Sequence, residues 1–544
     1  MMESIVDKLY DTWIPAFNNF RIPYDIELGL VQDGHEYYDS VDRLSEAPTF
    51  LGFLYPQKDK NYYNPQLTPA GKLYLSSHRK GEILLRQLLK HQLPSPYYTY
   101  KATDHGAVFW VKPYLELFRL IRHFGSVTFD ELMLFGLQLT DYRKFEQVVA
   151  MIDAFRNDKL NHKGRYRQFL DEQTKQVISD IFETEIREGN TKTRETKDDS
   201  LKNFIATKKS NMRDYADSFF RHLRESGMVN ISQSGHSVSI APEKREEVDF
   251  ILENVGRDPV FVSKEEEKEF VGYLVNPEFP KLLTDNQESL VKTIHAEFPL
   301  VEFDSSLDLN ALKDLLDDLR EKNKAQLIKQ EIINLKDQKE YEDIVKVFNG
   351  IKKAEYYDNP LMLEWNTWRA MTMIDGGDIK ANLNFDDFGK PLSTAAGNSA
   401  DIVCDYGHFG VTVELTLSSG QRQFAMESEP VPRHLGRHKE DIGKQAYCLF
   451  VAPTINEATI AFFFGLHKTP IDFYGGDTII VPLELKYFEK MLADSYKASY
   501  IPSPTNVENF FVHISNAADE FNGKDGWRLW YEEVKKIAQN WLDL

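Results

Sequence analysis

Three carboxylates stand at equal spacing in the C-terminal half of the chain: Asp401, Glu414 and Glu427 are each thirteen residues apart. Within residues 411–417, apolar and polar side chains alternate, which predicts a half-buried strand with Glu414 on its polar face. Residues 401–406 predict the preceding strand, because they lead into a turn that contains two glycines. Such a hairpin can bring Asp401 and Glu414 together, and close carboxylates repel each other unless a hard divalent cation lies between them. The same pattern fits an exposed hairpin with solvated acids, and spacing alone does not decide between the two.

Wider stretches around these acids resemble a known family. Leu-Glu-Trp-Asn-Thr-Trp at 363–368, Thr-Ala-Ala-Gly-Asn at 394–398, Gln-Phe-Ala-Met-Glu-Ser-Glu-Pro-Val-Pro-Arg-His at 423–434 and Tyr-Cys-Leu-Phe-Val-Ala-Pro at 447–453 follow in this order. Together they resemble the catalytic domain of the AlwI family of type IIS restriction and nicking endonucleases. An Asp followed by Glu-x-Thr on adjacent strands also resembles a variant of the PD-(D/E)xK nuclease core. The strong resemblance covers about residues 360 to 455.

The resemblance implies a catalytic site. Its members would be Glu364, Asp401, Glu414, Glu427 and His434, with Mg²⁺, or Mn²⁺ as a substitute, bound by Asp401, Glu414 and Glu427. One position departs from the general nuclease pattern, because Thr416 stands where a lysine is usual. The candidates for the general base are His434 and a metal-bound water positioned by Glu427, so the base stays unassigned.

Composition limits the class of protein. A chain of 544 residues needs more than one core, and its 42% hydrophobic content is typical of globular domains. Cys404 and Cys448 lie in predicted strands far apart, which favours small buried side chains over a disulfide or zinc site. We find no leader-like N-terminus or membrane-length apolar run, and therefore expect a cytoplasmic protein. The net charge of −20 argues against a chain that is basic all over, so DNA binding requires a localised basic face.

The N-terminal half predicts DNA-recognition modules. Residues 62–75 resemble a wing that leads into a helix, and a basic face with Arg86 and Lys90 flanks the helical pattern that follows. A helix that ends near Gly227, followed by a hairpin over 228–241, is the best winged-helix signal. The predicted fold is therefore multidomain, α/β and α+β. Its parts are winged-helix-like subdomains at 1–125 and 126–245, a helical connector at 246–355, and a PD-(D/E)xK-like nuclease domain with a mixed sheet at 356–544.

Basic residues in these modules are candidates for contacts with double-stranded DNA. Without context, a basic helix face is more often simply solvated, but a neighbouring winged-helix pattern favours DNA binding. The candidates are Arg79, Lys80, Lys163, Arg165, Arg167, Lys208 and Lys209.

The leading interpretation is a Mg²⁺-dependent type IIS endonuclease that reads a short asymmetric site and cuts a few base pairs outside it. One acidic constellation would nick one strand, and cutting both strands would need transient dimerisation through the catalytic domain or a second subunit. An alternative is a winged-helix regulator with a degenerate nuclease domain, which binds DNA without cutting. A glycosidase that uses two carboxylates is a weaker third alternative.

Overall fold

The computed structural model describes residues 49–55, 67–77, 79–96, 109–193, 200–232, 236–356, 358–374, 377–395 and 399–544. The fold is mixed α+β and mainly helical. The chain divides into two compact units, Met1–Leu319 and Arg320–Leu544, here called the N-terminal unit and the C-terminal unit. The finer division into four parts stays a prediction. Over the described ranges, we find no helix with the length and apolar character needed to cross a membrane.

The N-terminal unit is built mostly from helices. They are α1 (Pro69–Ser76), α2 (Lys80–Lys90), α3 (Pro113–Phe124), α4 (Phe129–Leu134), α5 (Phe145–Asn161), α6 (Tyr166–Ile181), α7 (Glu183–Arg187), α8 (Leu201–Glu225), α9 (Arg245–Asn254), α10 (Glu267–Leu274) and α11 (Gln287–Glu297). The long helix α12 (Leu309–Lys336) contains the boundary between the units. The segment predicted as a wing at 62–75 is helical from Pro69 onward, because Thr68 caps that helix through the Gly71 amide, and residues 62–66 lie outside the described residues.

A small antiparallel sheet lies within the N-terminal unit. Its strands β1 (Ser126–Thr128), β2 (Val229–Ile231) and β3 (Ser237–Ile240) are ordered β1-β3-β2. Thr128 and Glu131 form a capping box at the start of α4, which satisfies backbone amides that the helix itself leaves unpaired. The predicted hairpin is confirmed at its two strands, whereas residues 233–235 of its turn lie outside the described residues.

The prediction of a basic face on α2 is wrong for two of its residues. Arg86 and Lys90 are buried, with side chains that reach acids and carbonyl groups instead of solvent. Arg86 binds Asp285 at 2.8 Å through two nitrogens, and Lys313 binds both Glu82 and Asp285. Lys90 donates to the carbonyl of Leu274 at 2.8 Å. These cations hold elements of the N-terminal unit together, because a buried cation requires a nearby acceptor.

The C-terminal unit contains a five-stranded mixed sheet. Its order is β10-β9-β8-β7-β4, with β8, β9 and β10 parallel and with β7 antiparallel to both β8 and β4. The strands of this unit are β4 (Asp378–Ala381), β5 (Asn384–Phe385), β6 (Pro391–Ser393), β7 (Ile402–Asp405), β8 (Phe409–Leu415), β9 (Gln445–Ala452) and β10 (Ile480–Glu484). Its helices are α13 (Tyr341–Lys352), α14 (Asn359–Ile374), α15 (Gly420–Glu427), α16 (Pro430–Ile442), α17 (Glu457–Lys468), α18 (Leu485–Lys497), α19 (Pro504–Glu520) and α20 (Gly526–Gln539).

Helices cover both faces of this sheet. Along β9, Tyr447, Leu449 and Val451 pack into the core formed with α14, α18, α19 and α20, while Cys448 and Phe450 pack against α16 and α17. A strand that is buried on both faces has apolar residues at successive positions, which is why β9 lacks polar residues after Gln445. Cys404 and Cys448 are both buried, as predicted. The mixed sheet predicted for this part of the chain is confirmed.

The strand with Glu414 differs from its prediction. Alternation along β8 is correct, but its polar positions are covered as well: Thr412 is fully buried and Glu414 is 5% exposed. A two-residue period separates the faces of a strand, yet it cannot reveal a helix that packs on the polar face. Here α15 and α16 connect β8 to its parallel neighbour β9, and this crossover shields the face with Glu414.

Candidate active site

Asp401 and Glu414 meet at one edge of the mixed sheet. Asp401 directly precedes β7, Glu414 lies near the end of β8, and the two strands are antiparallel with Ile402 opposite Val413. The start of one strand and the end of the other therefore lie side by side. The amide of Leu415 donates to Asp401 Oδ2 at 2.7 Å, which holds this carboxylate beside Glu414.

Glu364 reaches the same edge from helix α14. Its side chain is buried, and its Oε2 accepts a hydrogen bond from the Ala395 amide at 2.9 Å. Helix α14 is fixed by Arg369, whose buried guanidinium contacts Glu331 at 3.1 Å and Asp343 at 2.8 Å. Helix α14 thus supplies a fixed support for the third carboxylate.

Glu427 and His434 come from the crossover between β8 and β9. His434, in the first half of α16, places Nδ1 2.9 Å from Glu414 Oε1. Glu427, the last residue of α15, forms a side-chain hydrogen bond with Thr416. All five residues proposed from sequence for catalysis are therefore brought together at one end of the sheet.

Burial and mutual repulsion make these carboxylates hard to ionise. Burial raises the pKa of Asp401 well above its usual value, and the neighbouring charge of Glu414 raises it further. The pKa of Glu414 rises through burial and the charge of Glu427, although Arg433 opposes the shift. Burial also raises the pKa of Glu364, to which Asp401 contributes, and that of Glu427 to about 7. Acids held in this way favour a site that takes up positive charge.

The family model described as AlwI restriction endonuclease matches residues 49–491. The chain belongs to the AlwI restriction endonuclease family. It is a site-specific deoxyribonuclease, and DNA is the polymer on which it acts. The resemblance drawn from the four sequence stretches is confirmed.

One solved structure among those that match is the small subunit, R.BspD6I2, of the heterodimeric restriction endonuclease R.BspD6I. It is 24% identical, and the match covers 36% of this chain and 98% of that chain, with a TM-score of 0.31. Comparison with curated proteins finds no match.

The acidic residues of this AlwI-family chain suit a hard cation whose coordination shell is completed by other molecules. Among the described residues, no three His, Cys, Asp or Glu side chains form a ready-made set of ligands. Mg²⁺ rarely requires such a set, because it keeps several waters and binds one or two carboxylates together with substrate phosphate oxygens. Asp401 and Glu414 provide that pair, and oxygen donors match Mg²⁺ or Mn²⁺ better than a soft metal.

Sequence reasoning missed two residues of the crossover. Gln423 is fully buried, and its amide donates to the carbonyls of Ser418 and Thr454, both at 2.9 Å. It thereby ties α15, and so Glu427, to the end of β9. Arg433 places a positive charge near Glu414. Both residues lie in the stretch 423–434 that resembles the family, but a motif does not say which of its members face the site.

The candidate DNA-binding residues fall into two groups in the N-terminal unit. Lys80, Lys163, Arg165 and Arg167 are exposed. The other three are engaged inside the unit: Arg79 lies 3.3 Å from Asp314, Lys209 binds Asp171 at 2.6 Å, and Lys208 lies over the rings of Phe182 and Phe204. Their role in binding DNA stays a prediction.

Proposed function

We propose that this AlwI-family chain is a Mg²⁺-dependent type IIS endonuclease, which reads a short asymmetric site and cuts a few base pairs outside it. One observation carries the proposal. Four residues from separate elements, Asp401, Glu414, Glu427 and His434, meet at the edge of a mixed sheet where β7 begins and β8 ends. Glu364 reaches the same edge from α14. Acids on adjacent strands of a mixed sheet also support a PD-(D/E)xK-type core.

The residues of the acidic site fall into groups with different tasks in the proposed reaction. Asp401 and Glu414 would hold the cation, which would supply Lewis-acid polarisation of the scissile phosphate and a lowered pKa of water. The Leu415 amide keeps Asp401 in place, and the Ala395 amide does the same for Glu364. With Glu414 ionised, His434 donates its Nδ1 proton to it, so Nε2 is the basic nitrogen that can take a proton from the attacking water. Glu427, fixed by Thr416, orients that water.

Recognition is assigned to winged-helix modules in the N-terminal half. The chain order α3, β1, α4, then α8, β2 and β3, with β1 paired to β3, supports a winged helix that includes residues 126–245. The exposed Lys163, Arg165 and Arg167 supply positive charge in the same unit for phosphate contacts.

A single chain is expected to nick one strand. A single metal site hydrolyses one phosphodiester at a time, and the opposite strand presents its phosphate in the reverse orientation. Cutting both strands then needs a second catalytic domain, through transient dimerisation or another subunit.

Incubation of the full chain with supercoiled plasmid, with Mg²⁺ or with EDTA, tests the proposal. We expect open circles first at low enzyme concentration and only with Mg²⁺, with linear product rising more steeply than first order in enzyme. Run-off sequencing of the products should place every break at a fixed offset from one asymmetric motif. Sequence-specific binding without any break in Mg²⁺ or Mn²⁺ would favour the regulator. Linear product without an open-circle intermediate at high dilution would reject nicking by a single chain.

A further inference from the structure

Four exposed cations of the N-terminal unit have no acid as a partner. Acidic residues outnumber Lys and Arg by 85 to 65 in this chain, so acids are plentiful at its surface. Even so, over the ranges that the structure describes, no ion pair involves Lys163, Arg165, Arg167 or Arg213. Like charges that stay unpaired at a surface repel each other, and a bound anion relieves that repulsion.

Three of these cations surround the start of α6. Lys163 and Arg165 lie just before this helix, and Arg167 is its second residue. Tyr166, the first residue of α6, donates from its hydroxyl to Asp130 Oδ2 at 2.6 Å. Asp130 belongs to the first turn of α4. The start of α6, with its three cations, is therefore held against the start of α4.

The fourth cation, Arg213, reaches the same turn from α8. The centre of its guanidinium lies 5.9 Å from the centre of the Phe129 ring, and Phe129 is the first residue of α4. Asp214 is exposed beside it on α8, but successive residues of a helix point about 100° apart. The Phe129 amide donates to the carbonyl of His236 at 2.8 Å, which places the start of β3 at this turn as well. The four cations thus lie around the start of α4, and together they are called the basic surface.

Two acids next to the basic surface are already paired with other cations. Glu131 accepts two hydrogen bonds from Arg156, both at 2.8 Å. Asp171, one turn along α6 from Arg167, binds Lys209 at 2.6 Å. Because these carboxylates are compensated from elsewhere, the basic surface keeps an excess of positive charge in a chain whose net charge is −20.

We propose that the basic surface binds the phosphate backbone of double-stranded DNA and contributes affinity without sequence preference. The inference rests on the proposed function, because it supplies the contacts that hold the reading part of the chain on the duplex. A duplex carries one negative charge about every 1.7 Å along its axis, so cations from two helices find phosphates side by side. Such contacts fix the position of a protein on DNA but carry no sequence information. Arg213, which sequence patterns did not select, thereby joins the DNA-binding residues.

The test uses the full chain with Arg213→Met, with Arg165→Met, with both changes, and with Arg213→Lys. Lys268→Met is the matched control, because it removes the same charge from an exposed position on α10. Dissociation constants are measured in EDTA between about 50 and 200 mM salt, where phosphate contacts change affinity most clearly. Two duplexes of equal length are compared, one with the site that the wild-type chain prefers and one without it. Circular dichroism monitors folding.

We expect Arg213→Met to weaken binding to both duplexes by the same factor, roughly tenfold at the low salt concentration and about fourfold at the high one. Each phosphate contact contributes about 0.9 to the slope of log affinity against log salt, so the slope should fall by that amount. The double variant should lose about twice as much slope, and Lys268→Met should lose none. Arg213→Lys should bind within about threefold of the wild-type chain, since an ammonium also pairs with phosphate.

Unchanged affinity and slope in Arg213→Met and Arg165→Met would overturn the proposal. A loss confined to the duplex with the preferred site would also overturn it, because that result belongs to a residue that reads bases. If Arg213→Met failed to fold, Arg165→Met would decide the question by the same two criteria. If the wild-type chain bound DNA without cutting it in Mg²⁺, the proposed function would fail, and the slopes on the duplex without a site would still decide this proposal.

Discussion

Each unit buries a group of charged side chains. The buried charges of the N-terminal unit have opposite signs, whereas those of the acidic site in the C-terminal unit are like charges. In the N-terminal unit, Arg86 and Lys313 lie between Glu82 and Asp285, with contacts of 2.6–2.8 Å. Although burial alone would raise it, the pKa of Glu82 falls below its usual value because of Lys313 and Arg86, and that of Asp285 falls for the same reason. At the acidic site of the C-terminal unit, burial and like charges act together, and the pKa values of the carboxylates rise.

The contrast separates charges that hold a fold together from charges that await a partner. A matched buried cluster contributes geometry, and loss of one member leaves an uncompensated charge. A cluster of like charges makes the folded chain less stable than it would be with neutral side chains, and that deficit is relieved when a cation arrives. Mutation in the first kind of cluster should change the stability of the protein, whereas mutation in the second kind should change its activity.

The largest effect is expected at the acidic site. Glu414→Ala or Asp401→Asn should lower cleavage by more than ~10³-fold, since several kcal/mol of metal-dependent charge stabilisation are lost. Sequence-specific DNA binding should persist, because recognition is assigned to the N-terminal half. Asp405→Asn, an exposed acid at the other end of β7, is the matched control and should cut normally. Gel assays measure both cleavage and binding. If a Glu414 variant cut at the wild-type rate, the assignment of the metal site would be wrong.

A large effect on stability, without one on the chemistry, is expected in the N-terminal cluster. Asp285→Asn should lower the free energy of unfolding of that unit by about 3–5 kcal/mol, because Arg86 and Lys313 lose a shared acceptor. Asp314→Asn is the control: its side chain is 68% exposed and lies 3.3 Å from Arg79, so a change below about 1 kcal/mol is expected. Chemical denaturation of the full chain, followed by circular dichroism, distinguishes them. Equal losses in the two variants would remove the distinction between matched and surface pairs.

The smallest effect has the opposite sign. Without metal, Asp401→Asn should raise the stability of the C-terminal unit slightly at neutral pH, because the asparagine carries none of the negative charge that burial and Glu414 disfavour. An asparagine oxygen can still accept from the Leu415 amide, so the local structure is kept. Mg²⁺ should raise the melting temperature of the wild-type chain more than that of the variant. Destabilisation by Asp401→Asn in metal-free buffer would show that the acids of this site are structurally compensated after all.

Sequence patterns predicted the C-terminal unit better than the N-terminal one, for a physical reason. Asp401, Glu414 and the turn between them are close along the chain, so strand period and turn chemistry place them in space. The burial of Arg86 depends on Asp285, 199 residues away, and no local pattern reports that partner. Likewise, the sequence places Glu414 on a polar face, because the alternation of apolar and polar residues does not show that α16 packs on that face.

The parallel pairing of β8 with β9 has a consequence for the order in which a ribosome produces this protein. Glu414 lies opposite Phe450, and the Thr416 amide bonds the carbonyl of Val451, so the strand with the central acid has its neighbour only after Ala452 has been synthesised. By then, every residue assigned to DNA recognition has long left the ribosome. A chain that ends before Ala452 would therefore carry the segments proposed for recognition but lack the neighbour of β8, and we expect it not to cut DNA.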